Sequence, residues 1–280
     1  MKKMFSLMLV PAMALFLFTG CGGGNPSGSV VEAAPATETL SGNVLLNGST
    51  SVERVVASLI EAFNMEHPGV ILTFNPTGSG AGITSATEGT ADIGFSSRQL
   101  RDNETGVDAT VFAIDGIALV IHNDNPVTDL SLEQIAGIFT GEITNWNEVG
   151  GNDSPITPIG REAGSGTRDA FESIIGSSEL AYEVEITSGG AAITFVSTNP
   201  FAIGYSSLSA VNDAVRVVSV NGVPCTEETL LDGTYEIQRP FIMMTQSGTQ
   251  PTAAAQAFID FTLSPEARDI ISGAGVLQMR

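Results

Sequence analysis

Lysine is missing from this chain beyond its third residue. Lys2 and Lys3 are the only two in 280 residues, and every later positive charge is an arginine. A nucleotide-binding P-loop depends on the lysine of Gly-x-x-x-x-Gly-Lys, so that class of ATPase and GTPase is excluded. Positive charge of any kind is scarce: 11 Lys+Arg face 31 Asp+Glu, for a net charge of −20. Nucleic acid and anionic membrane surfaces are held by clusters of Lys and Arg, which argues against both as partners. Two histidines and two cysteines leave little room for a metal cluster. His67 precedes Pro68-Gly69 and His122 precedes Asn123, far apart and without His-x-x-x-His spacing. Gly164-Ser165-Gly166 is a partial echo of a hydrolase elbow, but no histidine follows it to complete a triad. Asp102, Glu104, Asp108, Glu227, Glu228 and Asp232 are scattered through turns, as on a solvated surface. The sequence carries no signal for an enzyme, a metal site or a cofactor.

What it does carry is apolar: 42 % hydrophobic against 15 % charged residues, a globular balance long enough for one large or two ordinary domains. Residues 1–20 stand apart. Lys2 and Lys3 open an apolar stretch of about 15 residues, shorter than the roughly 20 that a spanning helix needs. The stretch ends in Phe18-Thr19-Gly20-Cys21 and resembles a bacterial lipoprotein signal, whose cleavage leaves Cys21 as a lipidated N-terminus. An ordinary secretory signal or a short anchor is the alternative. Residues 21–41, rich in Gly, Pro, Ala, Ser and Thr, read as a flexible tether. Lipidation of Cys21 leaves Cys225 as a lone thiol, incidental in its turn-like stretch.

The body alternates strand and helix patterns. An apolar strand over 43–47 is followed by Val52, Val55, Val56, Leu59, Ile60 and Phe63, one face of an amphipathic helix. A strand over 70–74 completes a βαβ-like unit, and further strands are expected over 91–95, 156–159, 201–205 and 240–245. One or two helical turns over 83–88, a helix at 191–196 and a helical tail over 249–273 are also expected. Ser131-Leu132-Glu133-Gln134 is a capping box opening another helix. The long apolar run 111–121, broken only by Asp115-Gly116, reads as a strand buried on both faces. The fold class is α/β.

Three turns of small residues each precede a helix: Gly48-Ser49-Thr50-Ser51, Thr77-Gly78-Ser79-Gly80-Ala81-Gly82 and Gly164-Ser165-Gly166-Thr167. A helix start offers unpaired N–H groups and about half a positive charge, and Ser and Thr add hydroxyl donors. Any one such turn serves for capping alone. Three in one chain, with Arg161 just upstream of the third, point to an oxyanion ligand, which a planar guanidinium meets with two donors at once.

At this point a resemblance becomes specific. Arg161-x-x-Gly164-Ser165-Gly166-Thr167 resembles the signature of the phosphate-binding proteins of bacterial phosphate ABC transporters, within the periplasmic-binding-protein superfamily. Asp115-Gly116-Ile117-Ala118, Ile143-Thr144-Asn145-Trp146, Ala202-Ile203-Gly204-Tyr205, Gln238-Arg239-Pro240-Phe241 and Phe261-Thr262-Leu263-Ser264-Pro265-Glu266 are similar to further segments of that family, in family order. The resemblance implies two lobes, each a mixed sheet flanked by helices, joined by crossing hinge strands near 115–121 and 235–245. Lobe 1 is expected over 42–118 and 242–280, lobe 2 over 119–241. It implies phosphate contacts from Thr50, Ser51, Ser79, Arg161, Ser165, Gly166 and Thr167.

It also places Ser97 where family members often carry a carboxylate that accepts the proton of hydrogen phosphate. Asp115, a charge inside an apolar strand, is the expected substitute acceptor; the alternative is that it pairs with a neighbouring arginine or caps a backbone N–H. Arg98 is left open between ligand contact and that partner. Trp146 is expected to pack lobe 2, and Arg168 to make a surface or interlobe pair. The implied function is a lipid-anchored, extracytoplasmic, non-enzymatic and monomeric receptor that delivers inorganic phosphate to ABC permease subunits. A phosphate or general oxyanion sensor or binding module without a transport role is the alternative; a receptor for sulfate or molybdate is a nearer variant, and a phosphatase is disfavoured.

Overall fold

The computed structural model describes residues 40–278. The signal segment, Cys21 and the tether as far as residue 39 lie outside the described residues.

The chain opens with β1 (Gly42–Gly48), α1 (Glu53–Glu66), β2 (Val70–Pro76), α2 (Ser79–Glu88) and β3 (Ile93–Ser96). In α1, Val55, Val56, Leu59 and Phe63 are buried, as the amphipathic spacing predicts. β1 lies between β2 and β3, parallel to both. The long strand β4 (Val107–Ile121) then leaves this region, completely buried at Phe112 and Ala113 and again from Ile117 to Ile121.

There follow β5 (Asp129–Leu130), α3 (Leu132–Thr140), β6 (Thr157–Arg161), α4 (Gly166–Ile175), β7 (Val184–Ile186), α5 (Gly189–Thr198), β8 (Ala202–Ser207), β9 (Arg216–Val220) and α6 (Glu227–Leu231). Ser131 and Gln134 form the expected reciprocal cap on α3. The chain returns through β10 (Gln238–Gln246) and ends in α7 (Ala253–Leu263), α8 (Ala267–Gly273) and β11 (Leu277–Gln278). The single helical tail expected from the pattern is therefore two helices, divided at Ser264-Pro265, because proline lacks the N–H that a continuing helix needs.

β4 and β10 carry the chain between two cores. The continuous strand order is β2-β1-β3-β10-β4-β8-β6-β7. β10 pairs with β4 from Gln246↔Val107 to Gln238↔Gly116, and β8 takes over at Ile117↔Ser207. Asp115-Gly116 thus marks the handover.

On one side of that point Val44, Leu46, Phe63, Phe95, Phe112, Phe241 and Phe258 form a core with α1, α7 and α8. On the other, Ile117, Leu119, Phe139, Trp146, Phe171 and Tyr205 form a second. Each full burial of such a side chain is worth about 1.5–3 kcal/mol, so each lobe has its own reason to fold. Smaller clusters on the opposite faces of the sheet, Ile83 with Met244 and Val120 with Val196, complete a helix–sheet–helix layering in both lobes.

Candidate oxyanion-binding site

The three small-residue turns meet where the lobes face each other. Ser49 caps the short turn Thr50–Val52 by accepting the Ser51 N–H at 3.1 Å. This turns the Ser51 hydroxyl across the cleft, 2.8 Å from Thr167 Oγ1 of α4. α2 starts after Gly78, whose φ of 100° suits a residue without a side chain, and has no side-chain cap. Its Ser79 hydroxyl instead accepts the Ser97 N–H at 3.0 Å.

The backbone closes the same gap: Gly80 N–H donates to Gly164 O at 3.1 Å. Gly166, first residue of α4, packs so tightly that a Cβ there would collide with Ser79 Oγ and lie 2.7 Å from Ser97 Oγ. Ser165 caps α4 by accepting the Arg168 N–H. Ser49, Ser51, Ser79, Ser97, Ser165 and Thr167 are all buried.

Two buried arginines flank these hydroxyls. Arg161 ends β6, 1 % exposed, with Nη2 donating to Thr50 Oγ1 at 3.0 Å and Nη1 3.5 Å from Thr167 Oγ1. Glu162 holds it from outside with two hydrogen bonds of 3.0 Å, and Ile186 O accepts from Nε. The second arginine is Arg239. Its Nε and Nη2 donate to one oxygen of Asp115 at 3.0 and 2.8 Å, and its Nη1 donates to Ser97 Oγ at 3.3 Å. Ser207 Oγ donates to the other Asp115 oxygen at 2.7 Å. Complete burial pushes the Asp115 carboxyl up from its ordinary range, while the Arg239 charge and the Ser207 hydroxyl favour its ionised form. Desolvation likewise pulls Arg239 down, opposed by Asp115.

The structure brings Thr50, Ser51, Ser79, Ser97, Arg161, Ser165, Gly166 and Thr167 into one cluster. Asp115 stands apart from it. It forms the arginine pair that was its alternative reading, and it reaches Ser97 only through the Arg239 guanidinium. The sequence shows Ser49 only as part of its turn and Arg239 only within a family-like segment, neither as a site residue. A signal for Arg239 existed: it is a lone charge at the head of an apolar strand, as Asp115 is within another, and the two are directly opposite in register.

Arg98 takes neither of its expected roles. It forms a two-pronged pair with Glu104 at 2.6 and 2.7 Å, and an ion pair with Asp169 of α4 at 2.7 Å. Arg101 joins Asp169 at the same distance, 2.7 Å, so the interlobe pairing belongs to Arg98 and Arg101. Arg168 binds Glu172 and Glu185 within lobe 2. A cavity of about 630 Å³ lined by Arg98, Leu100, Asp169, Ile174, Arg239 and Pro240 adjoins the ion pairs, but none of the clustered hydroxyls lines it. Trp146 is in the lobe 2 core with Nε1 donating to Phe201 O. Cys225 is a buried thiol whose desolvation pushes its pKa up to about 12, which keeps it protonated and unreactive at neutral pH.

Hydroxyls, helix starts and a guanidinium, the groups that a small oxyanion needs, thus meet between the two lobes. The pattern of the PBP superfamily domain matches residues 33–266. The chain is 30 % identical to "Phosphate-binding protein PstS" of Bacillus subtilis (strain 168), over 99 % of this chain and 94 % of the relative. It belongs to the PstS family of the PBP superfamily. A Clostridium perfringens protein solved with bound phosphate, and described as a phosphate ABC transporter substrate-binding protein, is similar at 43 % identity. Its TM-score is 0.82, with 85 % of this chain and 100 % of that one covered. An ABC-type phosphate transport receptor from Vibrio cholerae gives 35 % identity and a TM-score of 0.72 over 85 % and 100 % of the two chains. The PstS family is one of solute-binding proteins, not enzymes, and its two-lobed fold is the one seen here. Among the described residues no helix is long and apolar enough to cross a membrane.

Proposed function

We propose that this chain captures inorganic phosphate between its lobes outside the cytoplasm and delivers it to the permease of an ABC transporter. The observation that carries the reading is the convergence of three helix starts, of which the first and third reach Arg161 through Thr50 and Thr167. Ser51 and Thr167 meet across the lobes at 2.8 Å, and Gly166 packs directly against Ser79. Such a cluster supplies many fixed donors to a tetrahedral anion and leaves little room for anything larger.

The acidic surface does not steer an anion in from a distance, so affinity comes from these short-range bonds. Thr50, Ser51, Ser79, Ser97, Ser165, Gly166 and Thr167 contact the phosphate, and Arg161 neutralises it. The β4 and β10 crossings serve as the hinge on which the lobes open and close. Lipid on Cys21 holds the protein, a monomer, at the membrane through residues 21–41. The names of the relatives in Bacillus subtilis and Vibrio cholerae support phosphate and transport.

Calorimetric titration of the anion-free protein with phosphate tests the reading. One-to-one binding is expected; no heat overturns it. For the anchor, Cys21→Ala is expected to shift the protein from the membrane to the soluble fraction, and unchanged partitioning rules the lipid out.

A further inference from the structure

The cavity beside the Arg98–Asp169 ion pair shares no hydroxyl with the cluster that faces the oxyanion. Its volume of about 630 Å³ falls within the roughly 300–1,000 Å³ of small-molecule sites. Its walls come from both lobes and the crossing between them. Lobe 1 supplies Leu100 and Arg101, α4 of lobe 2 supplies Asp169, Ala170 and Ile174, and the head of β10 supplies Pro240. Leu100, Ala170, Ile174 and Pro240 are only half-buried, so an apolar body laid against them removes further surface from water.

The charged groups on the wall give the occupant its sign. The guanidiniums of Arg98, Arg101 and Arg239 face the carboxylates of Asp169 and Glu172. Both carboxylates are already neutralised, Asp169 by Arg98 and Arg101 and Glu172 by Arg168, each at 2.7 Å. Arg98 gives Nη1 and Nη2 to Glu104, and Arg239 is committed to Asp115 and Ser97. Arg101 differs. It is 60 % exposed and donates from Nη2 to Asp169, while its Nε and Nη1 have no partner among the described residues. An anionic group at the rim meets these free donors, and the apolar walls take the rest of the molecule.

Because its walls belong to both lobes, the pocket is complete only while the lobes are together. A molecule touching lobe 1, α4 and β10 at once favours the closed arrangement, as phosphate held between the lobes does. Two ligands that favour one state strengthen each other, by the same factor in both directions.

We propose that this cavity is a second ligand site, for a small organic anion whose compact apolar body carries a carboxylate or sulfonate that pairs with Arg101. Its occupant tightens phosphate binding, and phosphate tightens the occupant's. This coupling rests on the phosphate-capture reading above.

The probe is anilinonaphthalenesulfonate, whose fluorescence rises in apolar surroundings, titrated into the full-length chain with and without saturating phosphate. One-to-one binding is expected, tightened at least about fivefold by phosphate, and calorimetry should give the same factor for phosphate when the probe is present. With phosphate saturating, Arg101→Gln is expected to weaken the sulfonate about tenfold. N-phenylnaphthylamine, the same body without the charge, should bind that variant as it binds the native chain.

Displacement of the probe by phosphate would put it in the hydroxyl cluster and overturn the inference. So would the absence of one-to-one binding, or an affinity that phosphate leaves unchanged. A neutral probe weakened in Arg101→Gln as much as the sulfonate also overturns it, since Arg101 would then shape the wall without holding an anion. If phosphate itself gives no heat, the capture reading falls and the coupling with it. The two probes and Arg101→Gln, measured without phosphate, then still decide whether the site exists.

Discussion

Arg239 and Asp115 face each other across β10 and β4, joined by hydrogen bonds of 2.8 and 3.0 Å to one carboxylate oxygen, at the point where β4 exchanges β10 for β8. Both are buried, at 2 % and 0 % exposure. The pair therefore sits between the two lobe cores and supports Ser97 of the hydroxyl cluster from behind. A buried pair of this kind contributes little net stability against an apolar replacement, but its two charges depend on each other.

Asp115→Ala is accordingly expected to cost about 3–5 kcal/mol of unfolding free energy by stranding Arg239. The double replacement Asp115→Leu with Arg239→Met should recover most of that loss, while still weakening phosphate through Ser97. Urea unfolding of the two variants beside the native chain checks this, and a double variant no more stable than Asp115→Ala would contradict the coupling.

Much of this arrangement was legible in the sequence, and what was missed has a common cause. The three turns, Arg161 and the buried strand 111–121 each announce themselves locally, through small residues before a helix or through an unbroken apolar run. The partnership of Arg239 with Asp115 depends on which strands are neighbours, separated by 124 positions in the chain. The same holds for Arg98 with Asp169 and for Ser49 with Ser97. Short elements such as β5, β7 and β11 exist only because a neighbour supplies their hydrogen bonds, so their two or three residues carry no period to detect.

Arg161→Ala should weaken phosphate by at least about a hundredfold, since each charge-assisted hydrogen bond lost is worth about 1.5–3 kcal/mol. Its fold should survive, because the Glu162 it leaves behind is 30 % exposed and can turn to water. Calorimetry together with a thermal melt separates the two effects. Unchanged affinity would remove Arg161 from the site.

The ion pairs of Asp169 with Arg98 and Arg101 join the lobes outside the hydroxyl cluster. Asp169→Asn should therefore speed phosphate release without abolishing binding. The two pairs that it removes are together worth about 1–2 kcal/mol, or roughly a fivefold to thirtyfold change in rate. Stopped-flow release measurements in low and high salt test this: the native rate should rise with salt towards that of the variant. Identical rates for the two proteins in low salt would mean that the bridge does not hold the closed form.

Acid should loosen the same region. The hydrogen bond from Arg98 holds the Glu104 carboxyl below its ordinary value of 4.5. The folded protein thus binds that proton less readily than the unfolded chain does, so the contribution is fully present above pH 4.5 and is lost as pH falls through the lower folded-state value. Urea midpoints measured from pH 6 downwards should fall more steeply for the native chain than for Glu104→Gln, which has no such proton to bind. Parallel curves would show that Glu104 does not contribute to the acid limb.

Gly166 offers the sharpest separation of closure from folding. Its Cα faces Ser79 and Ser97 so closely that any side chain would occupy the place of the Ser79 hydroxyl. The obstruction comes from the opposite lobe, so it does not arise while either lobe folds on its own core. Gly166→Ala should therefore keep its circular-dichroism spectrum and lose most of its phosphate affinity, because the lobes can no longer reach the contact between Ser51 and Thr167. Gly190 supplies the control: it too stands near a helix start, in α5, but has open space where its Cβ would lie. Gly190→Ala should bind phosphate as the native chain does and gain about 0.4–1 kcal/mol of stability from the reduced freedom of its unfolded chain. Retention of native affinity by Gly166→Ala would mean that phosphate is held without the lobes meeting at this point, and the convergence of the three helix starts would lose its role.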